Sequence, residues 1–314
     1  MTSRPIIPAR STSTRPVVTP SRSITPRIPV VIPSNVKASL GIRRITRDIG
    51  YLRILISGLS GQGKTSFIGT ASYVLLDSNE PCNVLDISLD PDGEATIRSM
   101  GVAVDVIDTK GAKDHGSLIR ILQQLSSTAY DQYDVVAIDP YNKLQEVEEP
   151  GIITKGVEDA RKHQREHDTE IYELRDYNRL YARCRGVNQL LLGLKKHIIV
   201  TCISALKDHP LDINKKEDQR RKITSLALDG KMAHLLSADF SLHGNITKEG
   251  SGSNLKTITY LSQFMSEAKT RYRLPSSIEN ITFPMILKSL GMNTADYDNI
   301  NWTVDSMGFQ ARER

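Results

Sequence analysis

Gly58-Leu59-Ser60-Gly61-Gln62-Gly63-Lys64-Thr65 fits the spacing G-x-x-x-x-G-K-[ST] at every fixed position. Those residue types in that order suit one task, holding a polyphosphate. Glycines at 58, 61 and 63 permit the turns that aim successive backbone N–H groups at one anion, and they leave no side chain in its way. Lys64 supplies a mobile cation for terminal phosphates, and Thr65 supplies a hydroxyl for Mg²⁺. The binding set read from this loop is Gly58, Ser60, Gly61, Gln62, Gly63, Lys64, Thr65 and Ser66. A carboxylate belongs with it. Asp134-Val135-Val136-Ala137-Ile138-Asp139 has the form of a buried strand ending in an acid, and Asp139 is expected to hold Mg²⁺ through its water shell. Thr65 and Asp139 are therefore the expected metal residues.

Such a loop works only between a strand and a helix. The apolar run Leu52 to Ile56 predicts the strand, and Ser66 to Leu76 predicts the helix, whose positive end would face the same anion. Further strands are expected at Asn83 to Ser88, Val102 to Ile107 and His197 to Ser204, with helices from Glu94 and over Ser117 to Ser126. Asp90-Pro91-Asp92-Gly93 reads as a turn. Strands alternating with helices predict a mostly parallel sheet with helices on both faces, its ligand site beyond the carboxyl ends of the strands. Gly58, Asp90 and Asp139 all fall there. A polar residue ending the last of these strands, Thr201 or Ser204, is placed to sense a terminal phosphate. Asp239 to Ile246 and Leu255 to Leu261, joined across Gly250-Ser251-Gly252, predict a C-terminal β-hairpin.

The net charge of +5 is unevenly distributed along the 314 residues. Residues 1–47 hold nine Lys or Arg and no acid; taking those nine from the chain's 41 leaves 32 basic against 36 acidic residues, a balance of about −4. The same stretch holds seven of the fourteen prolines, so residues 1–40 are expected to form a disordered basic arm. Mobile arginines can neutralise nucleic-acid phosphates or meet an acidic protein partner, and the alternative is a solubilising tail. Residues 41–305 are expected to form the folded domain and 306–314 a polar tail. At 39% hydrophobic content a core is available. Cys82, Cys184 and Cys202 have no paired spacing, so neither disulfides nor a zinc site are expected. With no run of about 20 apolar residues and no secretory leader, the reading is a chain without membrane contact in the cytoplasm.

Thr154 to about Leu194 is dense in charge, with Ile171, Leu174, Tyr177 and Tyr181 at helical spacing, and predicts a long amphipathic helix or helix pair. Within it, His163-Gln164-Arg165-Glu166-His167 matches H-x-x-E-H, a zinc-protease pattern. No separate metal domain accompanies it, so solvated histidines are expected. Residues 207–222, with Lys215, Lys216, Arg220, Arg221 and Lys222, are expected to form a mobile loop able to grip a phosphate backbone.

The phosphate loop, the acidic turn after the second strand, the Asp139 strand, Asp229-Gly230-Lys231 and Ala268-Lys269-Thr270-Arg271…Leu274-Pro275 occur in an order that resembles phage-type RecA-like ATPases. The single-strand-annealing ATPases of the Sak-four type, related to the RadA and KaiC families, are the group resembled, over about residues 50 to 290. The resemblance implies a RecA-like P-loop core that binds ATP and Mg²⁺, hydrolyses ATP as a homo-oligomer and acts on single-stranded DNA in annealing, recombination or replication. If phage-encoded, it would work in the host cytoplasm. The family's acid after the second strand activates water; Asp90 holds that place, with Asp92 as competitor, and many relatives carry Glu there. A Lys-x-Arg pair in RadA-like proteins reaches the neighbouring subunit's terminal phosphate, and Lys269 and Arg271 match its spacing. A pair of surface cations on an edge strand is the alternative. Two other functions fit the loop: a small-molecule kinase, and a nucleotide-gated scaffold that recruits a protein through its arm. A ParA-type partitioning ATPase fits less well, because Leu59 stands where that group has lysine.

Overall fold

The computed structural model describes residues 50–73, 83–108, 110–112, 114–166, 172–208, 212, 214–220, 222–229, 231–251, 254–262 and 268–291, with the backbone of 300–305 and 308–313. All belong to one unit, Ile49–Arg314. The basic arm and Cys82 lie outside the described residues.

Ten strands form one sheet. In chain order they are β1 Arg53–Gly58, β2 Val84–Ser88, β3 Asp105–Ile107, β4 Val135–Asp139, β5 His197–Asp208, β6 Lys222–Leu226, β7 Leu242–Glu249, β8 Lys256–Tyr260, β9 Lys269–Thr270 and β10 Ser277–Glu279. Their order across the sheet is β3-β2-β4-β5-β1-β7-β8-β10, with β6 on β5 and β9 on β7. The pairs from β3 through β7 are parallel, whereas β8, β9 and β10 continue it antiparallel. The fold is therefore α/β with a mostly parallel sheet, and the expected C-terminal hairpin is β7–β8. The register sets the carboxyl ends side by side: Gly58 stands beside Ile203, and Ser88 beside Asp139.

Helices cover both faces because the central strands alternate apolar residues between two cores. One core joins Leu55, Val136, Ile138, Ile198 and Val200 to α3 (His115–Leu125), α4 (Asn142–Lys162), α5 (Leu174–Gly193) and α6 (Met232–Asp239). The other joins Ile54, Ile56, Val135, Ala137 and Ile199 to α1 (Lys64–Gly69), α2 (Pro91–Met100) and α7 (Phe283–Ser289). The charge-dense stretch is a helix pair, as expected. Its charges hold it together: Arg183 donates to the buried Glu148 at 2.8 Å, and Arg179 bridges Asp159 at 2.5 Å and Asp176 at 2.8 Å.

Several boundaries differ from the sequence reading, each for a local reason. The Asp90–Gly93 turn is the opening of α2: Asp90 caps it by accepting from Asp92 N, and Pro91 sits at its first position, where a missing N–H costs nothing. Helix α4 begins twelve residues before Thr154 and runs through Pro150; Thr154 Oγ1 donates to the Pro150 carbonyl at 2.8 Å. It ends at Lys162, so His163 is an exposed residue beyond it, and His167 lies outside the described residues. Helix α1 has six residues before tightening into a 3₁₀ turn at Thr70–Tyr73. At the ends of the 207–222 segment β5 extends to Asp208 and pairs antiparallel with β6 from Lys222, so the loop is narrower than expected; its described residues hold a 3₁₀ turn at Glu217–Gln219 and no strand. The polar tail expected from residue 306 contains a strand, β12 (Gly308–Glu313), antiparallel to β11 (Ile300–Asp305).

Candidate nucleotide site

The loop between β1 and α1 owes its shape to two glycines. Gly61 and Gly63 have φ of +74° and +99°, a left-handed backbone that costs other residues energy. Gly58 serves differently. A Cβ there would lie 2.5 Å from the Ile246 carbonyl oxygen of β7, so strand packing by itself requires glycine at this position. Gln62 faces away from the site, its side chain accepting the Lys248 backbone N–H. With only six residues in α1, the anion-attracting field comes mainly from the loop's own N–H groups, less from the helix dipole expected from sequence.

Lys64 is 8% exposed, and its ammonium donates to the carbonyls of Gly58 at 3.0 Å and Leu59 at 2.8 Å. Burial pushes its pKa below the ordinary lysine value, against the opposing charge of Asp139. Thr65 Oγ1 donates to Asp139 Oδ2 at 2.5 Å, joining the two expected metal residues across 74 positions of sequence. Thr201 Oγ1 donates to the other oxygen, Oδ1. Burial pushes the Asp139 carboxyl upward, and the hydroxyls of Thr201 and Thr65, then the charge of Lys64, pull it back. Thr201 is thus a support for the acid rather than a phosphate sensor. Ser204 takes a hydrogen bond from Asn245 at 3.2 Å instead.

These groups border a cavity of about 310 Å³. From the loop side come Ser60, Gly61, Gly63, Lys64, Thr65 and Ser66; from α2 and its cap come Asp90, Asp92, Gly93 and Thr96; Asp139, Pro140 and Ile203 close it. Gly93 is the point of closest approach, where a Cβ would stand 3.4 Å from Asp139 Oδ2 and 3.8 Å from Thr65 Cγ2. Asp90 and Asp92 both reach this cavity. Asp90 Oδ1 is already engaged as the cap of α2, at 3.2 Å from Asp92 N.

The cavity suits a Mg²⁺-nucleotide on two counts. Ser66 is fully buried on its wall with a hydroxyl that has no hydrogen-bond partner, a donor waiting for an acceptor. Thr65 and Asp139 offer hard oxygens at one point, the donor type that Mg²⁺ selects. Among the described residues there is no group of three His, Cys, Asp or Glu side chains able to hold a metal by itself.

Lys269 and Arg271 are elsewhere. Strand β9 pairs with the beginning of β7, Lys269 opposite His243, and Arg271 N donates to Ser241 O at 2.9 Å. Ser241 N in turn donates to Arg53 O, at the start of β1. The phosphate loop begins five residues further on, roughly 17 Å away at strand rise. A single chain therefore does not bring this pair to its own loop. Cations of the 207–222 segment are partly paired: Arg220 and Lys222 donate to Asp208 at 2.9 and 2.5 Å, and Lys215 meets Asp212 at 2.8 Å.

No protein-family profile and no curated protein matches the sequence. Solved structures do. A KaiC-like protein from Pyrococcus horikoshii is 12% identical over 82% of this chain and 88% of its own, at a TM-score of 0.42. The flagellar accessory protein FlaH from Methanocaldococcus jannaschii is 13% identical over 89% and 96%, at 0.40. The RadB recombinase is 12% identical over 89% and 97%, at 0.43. At this level of likeness the chemistry has to be read from the site itself.

One acid escaped the sequence reading. Asp86, in the middle of β2, has no exposed surface, and neither of its oxygens has a hydrogen-bond partner. Burial, then the charges of Asp139 and Glu94, hold its carboxyl well above the usual range. The signal in the sequence was an acid inside the apolar run Val84-Leu85-Asp86-Ile87. Among the described residues no helix is long and apolar enough to cross a membrane.

Proposed function

We propose that this chain is a RecA-like ATPase that binds ATP with Mg²⁺, hydrolyses it as a homo-oligomer and acts on single-stranded DNA. The observation that carries the nucleotide part is the meeting of Lys64, Thr65, Asp139 and the partnerless Ser66 hydroxyl on one cavity behind a left-handed glycine loop. Thr65 directly, and Asp139 through the water shell, would hold Mg²⁺, which would supply neutralisation of phosphate charge. The loop N–H groups bind and orient the polyphosphate, and Lys64 turns from the Gly58 and Leu59 carbonyls to a terminal phosphate oxygen. Asp90 or Asp92 orients the attacking water and accepts its proton. Lys269 and Arg271, remote from their own loop, serve the nucleotide of a neighbouring copy, which makes turnover depend on assembly.

The DNA part is supported by the basic arm and by the cation-rich β5–β6 hairpin. Because Arg220, Lys222 and Lys215 are paired with Asp208 and Asp212, phosphates would have to displace those acids, so the arm is the stronger contributor. A second reading, a nucleotide-gated scaffold with slow turnover and an arm that recruits protein, is favoured by Asp90 serving as a helix cap rather than as an unencumbered base.

The test is ATP turnover by the full chain with and without single-stranded DNA, beside Lys64→Ala. Stimulation by DNA that vanishes in the variant supports the proposal. ATP binding and assembly without turnover support the scaffold, and turnover indifferent to DNA removes the DNA role.

A further inference from the structure

A chain of hydrogen bonds runs through the interior of the sheet, outside the nucleotide cavity. Asn245 Nδ2 on β7 donates to Ser204 Oγ on β5 at 3.2 Å and to Ser57 Oγ on β1 at 3.0 Å. Ser57 Oγ lies 2.8 Å from His243 Nε2, and His243 Nδ1 lies 3.0 Å from Ser237 Oγ on α6. All five side chains are buried. Either tautomer of a neutral His243 satisfies the chain: with Nδ1–H it donates to Ser237 and accepts from Ser57, and with Nε2–H it donates to Ser57, whose hydroxyl then turns to the Gly244 carbonyl at 3.4 Å.

Members of this chain adjoin both pieces of machinery. Ser57 directly precedes Gly58 of the phosphate loop, and Ser204 directly follows Ile203 of the cavity wall. At the far end Ser237 precedes Ala238, whose carbonyl accepts from Arg271 Nη2 at 3.2 Å, and His243 is the register partner of Lys269. Strand β9, which carries Lys269, has only two residues and therefore few ladder bonds to fix its place. Apolar residues would fill the space between these strands more cheaply, since buried polar groups cost energy unless each is paired. What a hydrogen-bonded chain adds is fixed length and direction.

We propose that His243 is a positioning residue, which holds the Lys269–Arg271 edge at a set place relative to the strand that carries the phosphate loop. The inference rests on the reading that this pair acts on the nucleotide of a neighbouring copy. His243 touches no phosphate; it acts through β9 and α6, so its loss lowers kcat and leaves ATP affinity alone.

The experiment is a double-mutant cycle on the full chain at concentrations where turnover has reached its plateau, with melting temperature recorded as a check of folding. His243→Gln keeps a group at the Nε2 position, toward Ser57, and loses the tie to Ser237; His243→Asn does the reverse. Each is expected to lower kcat about tenfold, the cost of about one hydrogen bond, with KM for ATP unchanged. In a background carrying both Lys269→Ala and Arg271→Ala, neither is expected to lower it further. The same tenfold loss in that background, or a raised KM at unchanged kcat, overturns the positioning role while leaving the trans role of Arg271 standing. Unchanged turnover in Arg271→Ala alone overturns both. Should the His243 variants fail to fold, Ser237→Ala, which cuts the tie between His243 and α6, is read by the same cycle.

Discussion

Replacing Thr201 with Val tests the site where the structure departs furthest from the sequence. Thr201 has no exposed surface, and its hydroxyl donates to Asp139 Oδ1 while Thr65 holds Oδ2 at 2.5 Å. Valine preserves the shape and deletes the donor. A hydrogen bond to a charged acceptor is worth about 1.5–3 kcal/mol, and about 1.4 kcal/mol is tenfold, so Mg²⁺ should be held about 10- to 100-fold more weakly. The sign with pH follows from the same contact. Burial already pushes the Asp139 carboxyl upward, and Thr201 is the largest influence pulling it back. Without it the acid protonates more readily, so Mg²⁺-dependent binding is lost at a higher pH as pH falls. The assay is binding of a fluorescent ATP analogue titrated with MgCl₂ at pH 6, 7 and 8, with Lys64→Ala as the blank. A half-saturating Mg²⁺ concentration within about twofold of wild type at every pH would refute the reasoning.

Other contacts give separate expectations. Gly58→Ala puts a methyl 2.5 Å from the Ile246 oxygen and 2.9 Å from its Cγ2; overpacking of this kind costs about 1–3 kcal/mol, several degrees of melting temperature, and an unchanged Tm would mean that β7 yields freely. His197 accepts from Leu52 N at 3.0 Å, and burial pushes its pKa down to about 4. Its contribution to stability is full above the unfolded value of about 6.5 and falls by about 3 kcal/mol as pH drops toward the folded value. Urea unfolding of wild type and His197→Asn should therefore show a stability gap that narrows between pH 7.5 and 4.5, and parallel profiles would count against it. For Asp86, raised rather than lowered, the folded state favours the protonated form, so stability declines as pH rises above the unfolded carboxylate value. Asp86→Asn is expected to melt higher than wild type, by a margin that grows from pH 5 to pH 8; a margin independent of pH would show that the carboxyl does not titrate there.

Local rules were enough to locate the strand before the loop, the acid at the end of β4, the helix pair and the β7–β8 hairpin, because apolar periodicity and Gly and Asp placement act within a few residues. The same rules failed where two local signals compete. Asp-Pro-Asp-Gly serves equally well as a turn or as a capped helix start, and charge density marks α4 only from Thr154, whereas packing of Leu144 and Ile152 carries it from Asn142.

The sequence by itself determined the residue types that can bind a phosphate and a hard cation, since the glycines, Lys64, Thr65 and Asp139 are fixed by chemistry that needs no distant neighbour. Only the tertiary structure decided what each one touches. It turned Thr201 onto Asp139, gave Gly58 to β7, faced Gln62 away from the cavity and placed Lys269 and Arg271 at the opposite end of β7 from the loop. Thr201 and Asp139 are 62 positions apart and Gln62 and Lys248 are 186 apart, and sheet order and register, which no local pattern encodes, set such contacts.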